Sequence, residues 1–62
     1  MIKVVQQGNG YRIERHIENK KTQVYNRDGR WSTNYNGALY LRLEDEALRQ
    51  ADRLRRAEVD YE

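Results

Sequence analysis

Sixty-two residues make at most one domain, and a chain this short buries only about 60% of the surface it exposes when unfolded. Twelve Lys and Arg against ten Asp and Glu leave a net charge of +2 with 35% of residues charged, which excludes a polyionic tail. The absence of Cys and the single His exclude a disulfide framework and a Cys/His metal site; no stretch has the apolar length of a transmembrane helix or signal peptide, so a soluble, cytoplasmic protein is expected.

Ile, Leu and Val number only 12 and Phe is absent, but five Tyr and one Trp supply large rings that build a core from few positions. In chain order, Ile2 to Gln7 reads as a short strand ending at Gly8-Asn9-Gly10, a cluster suited to a tight reversal. Tyr11 to Glu18 alternates, with Tyr11, Ile13, Arg15 and Ile17 on one face and Arg12, Glu14, His16 and Glu18 on the other, the pattern of a half-buried antiparallel strand. Glu18-Asn19-Lys20-Lys21 makes a turn into a third strand, Thr22 to Arg27, and Asp28-Gly29 is a type I′ hairpin signal. Arg30 to Thr33 returns with Trp31, and the loop Asn34-Tyr35-Asn36-Gly37 leads to a fifth extended segment from Ala38 to Leu43. With every connection short, these strands are expected to form an antiparallel meander.

From Glu44 the composition changes to that of a helix, with Ala47, Leu48, Ala51, Leu54 and Ala57 recurring at three- and four-residue spacing as a narrow apolar stripe. Glu44, Asp45 and Glu46 at its start and Arg53, Arg55 and Arg56 later suit the helix dipole, and Asp45 with Arg49 and Asp52 with Arg56 are i,i+4 pairs of favourable orientation. The stripe has to lie on a sheet face, expected to comprise Ile13, Ile17, Val24, Trp31, Leu39 and Leu41, with Trp31 as its anchor. The expectation is an α+β fold in a single domain, 1–62. It comprises a β-meander of four to five strands over 1–43, one C-terminal helix over 44–58 packed on one sheet face, and a frayed tail over 59–62.

Signals for catalysis are sparse. His16 shares a strand face with Glu14 and Glu18, which reads as a solvated polar face, and Ser32, the only Ser, lacks a nucleophile-elbow setting. Gly8-Asn9-Gly10 precedes a strand instead of the helix that a dinucleotide fingerprint requires. A non-enzymatic protein with no catalytic residue, metal or cofactor is expected.

Charge and aromatic residues are more informative. Residues 1–42 carry eight basic and three acidic side chains, a net of +5, whereas 43–62 carry four and seven, a net of −3. Tyr35, flanked by Asn34 and Asn36 in a loop without alternating apolar neighbours, reads as an exposed anchor for a protein partner. Together with the polar helix face of Arg49, Asp52, Arg53 and Arg56 it makes the first candidate contact surface. The alternative is a nucleic acid held by Arg12, Arg15, Lys20, Lys21, Arg27 and Arg30, with Tyr rings stacking on bases. A small apolar complement also leaves one sheet face thinly covered, so a homodimer through that face or an edge strand is expected.

The run Tyr25-Asn26-Arg27-Asp28-Gly29-Arg30-Trp31-Ser32-Thr33, followed by Ala38-Leu39-Tyr40-Leu41 and by Glu46-Ala47 with Ala51 and Leu54, resembles a pattern in many small phage and prophage accessory proteins. There a Gly-x-Trp strand leads through a polar loop to a hydrophobic strand and a helix; the resemblance spans about residues 25–54. It implies a small protein that binds and redirects a larger host protein, as host RNA polymerase inhibitors and anti-CRISPR proteins do. Asn9-Gly10-Tyr11-Arg12 and Lys20-Lys21 are similar to the first strand and turn of the arm-type DNA-binding domain of tyrosine recombinases, which implies a sheet that enters a DNA groove. The chain departs from that domain by adding the Trp31 strand.

Overall fold

Alternating side chains and a two-residue reversal build the first hairpin. Strand β1, Ile2–Gln7, pairs antiparallel with β2, Gly10–Arg15, in a register that sets Ile2 opposite Arg15, Val4 opposite Ile13 and Gln7 opposite Gly10. Gly8 takes φ +59° while Asn9 stays on the negative side, the pattern of a type II′ turn, whose twist matches that of the strands. These positions come from a computed structural model that describes the backbone of residues 1–61 and the side chains of residues 1–57.

The sheet continues through β3, Gln23–Tyr25, and β4, Trp31–Ser32, in the order β1-β2-β3-β4 with all neighbours antiparallel. Strand β2 stops at Arg15 because a turn begins at Ile17: the Lys20 N–H donates to the Ile17 carbonyl (3.1 Å) and Asn19 sits at φ +65°, as the third residue of a type II turn does. The β3–β4 connection differs from the type I′ turn expected at Asp28-Gly29. Only Gly29 is left-handed, at φ +85°; the Gly29 N–H donates to the Asn26 carbonyl and the Asn26 N–H to the Arg30 carbonyl. This is a three-residue loop in which a turn of the common type closes through a left-handed Gly.

The fifth extended segment forms no ladder of its own. Gly37 and Leu39 bond Arg27 and Tyr25, while Leu41 exchanges two bonds with Tyr11 (2.8 and 2.9 Å), leaving isolated bridges at Asn26–Ala38 and Tyr11–Leu41. β2 and β3 pair only where Glu14 meets Val24 and Arg15 meets Gln23. Beyond that point they separate, and residues 37–41 fill the gap as a wedge bonded first to one strand and then to the other.

Helix α1, Glu44–Tyr61, follows directly. Its N-cap is Leu43, whose carbonyl accepts from the Ala47 N–H; a Leu cannot cap through its side chain, so the acidic first turn, Glu44, Asp45 and Glu46, does the electrostatic part of that task. The helix backbone runs on through 59–61, where a frayed tail over 59–62 was expected, and residue 62 lies outside the described residues. Ala47 and Ala51 are both fully buried and bring the helix close to the sheet. The core joins Ile2, Ile13 and Ala51, with Val4, Tyr25, Trp31, Leu41 and Leu54 packed against it. Of the expected face, Ile13, Trp31 and Leu41 belong to this core. Ile17 does not, because it lies in the turn and is 37% exposed, and Val24 is fully buried on the other face, opposite Glu14. Leu48, expected in the stripe, is 46% exposed, so the buried stripe narrows to Ala47, Ala51 and Leu54.

Candidate functional site

The sheet face turned away from the helix carries Arg12, Glu14 and His16, the alternate residues to Ile13. The solvated polar face expected there is instead partly buried: Glu14 is only 5% exposed. Arg12 Nε donates to Glu14 Oε2 at 2.6 Å, and His16 Nε2 stands 2.9 Å from Glu14 Oε1. An ionised carboxylate only accepts, so the His16 proton in that bond is on Nε2. In the neutral ring Nδ1 then accepts from the Thr22 hydroxyl, 3.2 Å away. Glu18, the third member of the expected acidic pairing around His16, lies in the turn and is exposed.

The loop after β4 closes over this network. Ser32 Oγ accepts from the Asn34 N–H and Asn34 Oδ1 from the Asn36 N–H, both at 3.0 Å, two side-chain turns that set up a short 3-10 turn, Tyr35–Gly37. The turn lays the Tyr35 ring over the Arg12 guanidinium, 5.0 Å from Cζ to the ring centroid. Tyr35 is thus braced by a run of contacts through Arg12, Glu14 and His16 to Thr22 while 36% of it stays exposed, and Asn34 and Asn36 are exposed beside it.

Burial pulls the Glu14 carboxyl upward, but the hydrogen bonds from Arg12 and His16, with the charges of those groups, outweigh it and hold the carboxyl below its ordinary 4.5. A depressed carboxyl contributes stability above the unfolded value and loses it as pH falls through the folded one, since the unfolded chain then binds a proton that the folded chain refuses. Urea titrations between about pH 6 and 3 are therefore expected to show the wild type losing stability from roughly pH 5 downward. Glu14→Gln is expected to be less stable at neutral pH and to flatten that acid limb. An unchanged limb in Glu14→Gln would assign the acid sensitivity to other carboxylates.

The candidate contact residues do not form one surface. Tyr35, Asn34 and Asn36 lie on the face opposite the helix, whereas Arg49, Asp52, Arg53 and Arg56 project from α1 on the other side of the sheet. Of the two expected helix pairs, Asp52 and Arg56 meet at 3.2 Å, and Arg49 and Arg53 flank a groove of about 290 Å³ shared with Leu41, Glu46 and Gln50. The six basic residues of the nucleic-acid reading are likewise dispersed. Arg12 is engaged by Glu14; Arg15, on the opposite strand face, donates from Nε to Gln23 (2.9 Å) and stacks over Trp31 (4.7 Å). Lys20 and Lys21 are exposed before β3, and Arg27 and Arg30 after it, so the two pairs sit at opposite ends of that strand.

The residues that sequence reasoning passed over are Glu14 as a buried anchor, and Thr22 and Ser32 as partners. Arg12-x-Glu14-x-His16 on one strand face was a visible signal for the first. Nothing in the local sequence indicated that residues 34–37 fold back across it. Among the described residues no three His, Asp or Glu could hold a metal ion, and no helix is long and apolar enough to cross a membrane. Comparison of the chain with protein-family models, with curated proteins and with solved structures finds no match.

Proposed function

We propose that the chain is a small, non-enzymatic protein-binding module that occupies a surface of a larger protein through the Tyr35 loop. The observation that carries this reading is the bracing of a part-exposed Tyr by buried charge. The ring, fixed over Arg12 between two exposed Asn side chains, presents apolar area and hydrogen-bonding groups with little conformational freedom left to lose on association. Aromatic anchors of this kind dominate binding at protein interfaces. The resemblance to phage accessory proteins makes a host protein the expected partner, and a modulator or inhibitor the expected role.

The test is capture from bacterial lysate by the tagged protein, with and without nuclease, followed by affinity measurement on the captured species. Tyr35→Ala is expected to weaken binding by about 30-fold or more, the size of a hot spot near 2 kcal/mol, while the circular dichroism spectrum is retained. Lys20→Glu with Lys21→Glu is expected to change it little. Capture that nuclease abolishes, falls by orders of magnitude between about 50 and 200 mM salt and vanishes in the double Lys variant would establish nucleic-acid binding instead.

A further inference from the structure

One edge of the sheet is open. Met1 and His16 exchange two main-chain bonds of 2.7 Å each, and in an antiparallel pair such exchanges recur at every second residue. Lys3, Val5 and Gln7 therefore point their N–H and C=O groups at β2, and Ile2, Val4 and Gln6 point theirs outward, where the sheet has no further strand. Among the described residues only the first outward carbonyl is covered: Arg55 Nε and Nη2 donate to Ile2 O at 3.1 and 2.8 Å. The usual protections of an edge, a Pro or a run of charges, are missing from a strand whose one charged residue is Lys3.

Arg55 also orients the helix over this edge. Residue 48 lies seven positions before it and so projects from the same flank, about 10.5 Å along the axis. α1 starts near the Gln6 end, where Leu41 bonds Tyr11, and reaches Ile2 at Arg55, so it runs antiparallel to β1. Three strand residues span about 10 Å, which places the exposed Leu48 alongside Val5 at the middle of the open edge.

We propose that this edge is a self-association site, at which a second copy of the chain adds its β1 antiparallel about a two-fold axis through Val5. In that register Val4 pairs with Gln6 of the second copy and Gln6 with its Val4, Lys3 faces an uncharged Gln7, and the Arg55 bonds to Ile2 remain in place. The two helices then lie antiparallel about 10 Å apart, a close-packed spacing, with Leu48 meeting Leu48 across the axis. Glu44 shares the flank of Leu48 and Arg55, eleven positions before the latter, and comes within a turn of the other copy's Arg55, while that copy's Asp52, level with Glu44, is held by its own Arg56. The reciprocal match of Glu44 with Arg55 is what selects a second copy over an unrelated strand. The Tyr35 loops lie on the opposite face and stay free.

Sedimentation equilibrium from about 10 μM to 1 mM, with amide exchange followed by NMR, tests the proposal. The mass is expected to rise from 7.5 kDa toward twice that value, and exchange at Val4 and Gln6 is expected to slow as concentration increases. Leu48→Glu, on an exposed helix flank, and Gln6→Pro, which removes one outward N–H, are each expected to weaken association at least tenfold; Tyr35→Ala is expected to leave it unchanged. A monomer throughout, exchange at Val4 and Gln6 that ignores concentration, or a dimer that survives either edge substitution would overturn the proposal.

Discussion

Trp31→Ala is expected to abolish the cooperative melt. The ring packs against the core and meets Tyr25 edge to face at 5.2 Å, and the Arg15 guanidinium covers its face at 4.7 Å. Truncation removes roughly 150 Å² of buried apolar surface, about 4 kcal/mol at ~25 cal/mol per Å², and the Tyr25 pairing adds ~1 kcal/mol. A 62-residue domain has a total stability of about 3–9 kcal/mol, so the loss is comparable to the whole. Differential scanning calorimetry is the direct check: no transition is expected in Trp31→Ala, and a smaller loss in Trp31→Phe, which keeps an apolar ring. A sharp transition in Trp31→Ala, lowered by only a few degrees, would mean that the helix is held by its Ala and Leu contacts alone.

Arg12→Ala is the second substitution of that size. It leaves the Glu14 carboxylate in the sheet face with His16 as its remaining side-chain partner and removes the support under Tyr35. Breaking a buried pair from one side costs about 3–5 kcal/mol because the surviving charge is stranded. The lower end is expected here, since Arg12 retains 18% exposure and His16 holds the other Glu14 oxygen. Replacing both members, Arg12→Leu with Glu14→Leu, is expected to be milder than Arg12→Ala because no charge is stranded. Urea denaturation of the single and double variants at neutral pH decides between these outcomes. A double variant as damaged as the single one would show that the hydrogen bonds themselves, more than the stranded charge, hold the face together.

The two effects fall on opposite faces of the same sheet. Tyr25 and Trp31 extend the core that the helix covers on one side of the sheet, and Arg12 and Glu14 fasten the Tyr35 loop to the other. Partner binding through Tyr35 is therefore expected to depend on Arg12 even though Arg12 need not touch the partner. In a variant that stays folded, Arg12→Lys keeps the charge but lacks the planar fork that both bonds Glu14 and stacks on the ring.

The order of the elements was legible in the sequence because it rests on local physics. Alternation from Tyr11 to Arg15 makes β2, Gly8 and Gly29 mark the reversals, and the three- and four-residue spacing of Ala47, Ala51 and Leu54 makes the helix. Which residues share each face of β2 followed equally from the alternation of side chains along a regular strand. Tertiary structure decided how those faces were used. Whether Ala38 to Leu43 forms a fifth strand depends on where β2 and β3 part, a property of two other segments, and their separation turned it into a wedge. Whether Arg12, Glu14 and His16 face water depends on a loop some twenty residues further along, and the fold of residues 34–37 over them converted a polar stripe into a buried ion pair under Tyr35. Local spacing dictates direction along the chain, whereas burial is set by what arrives from elsewhere in it. For that reason the chain itself determined the elements and their order, and only the folded structure determined the braced Tyr35 face.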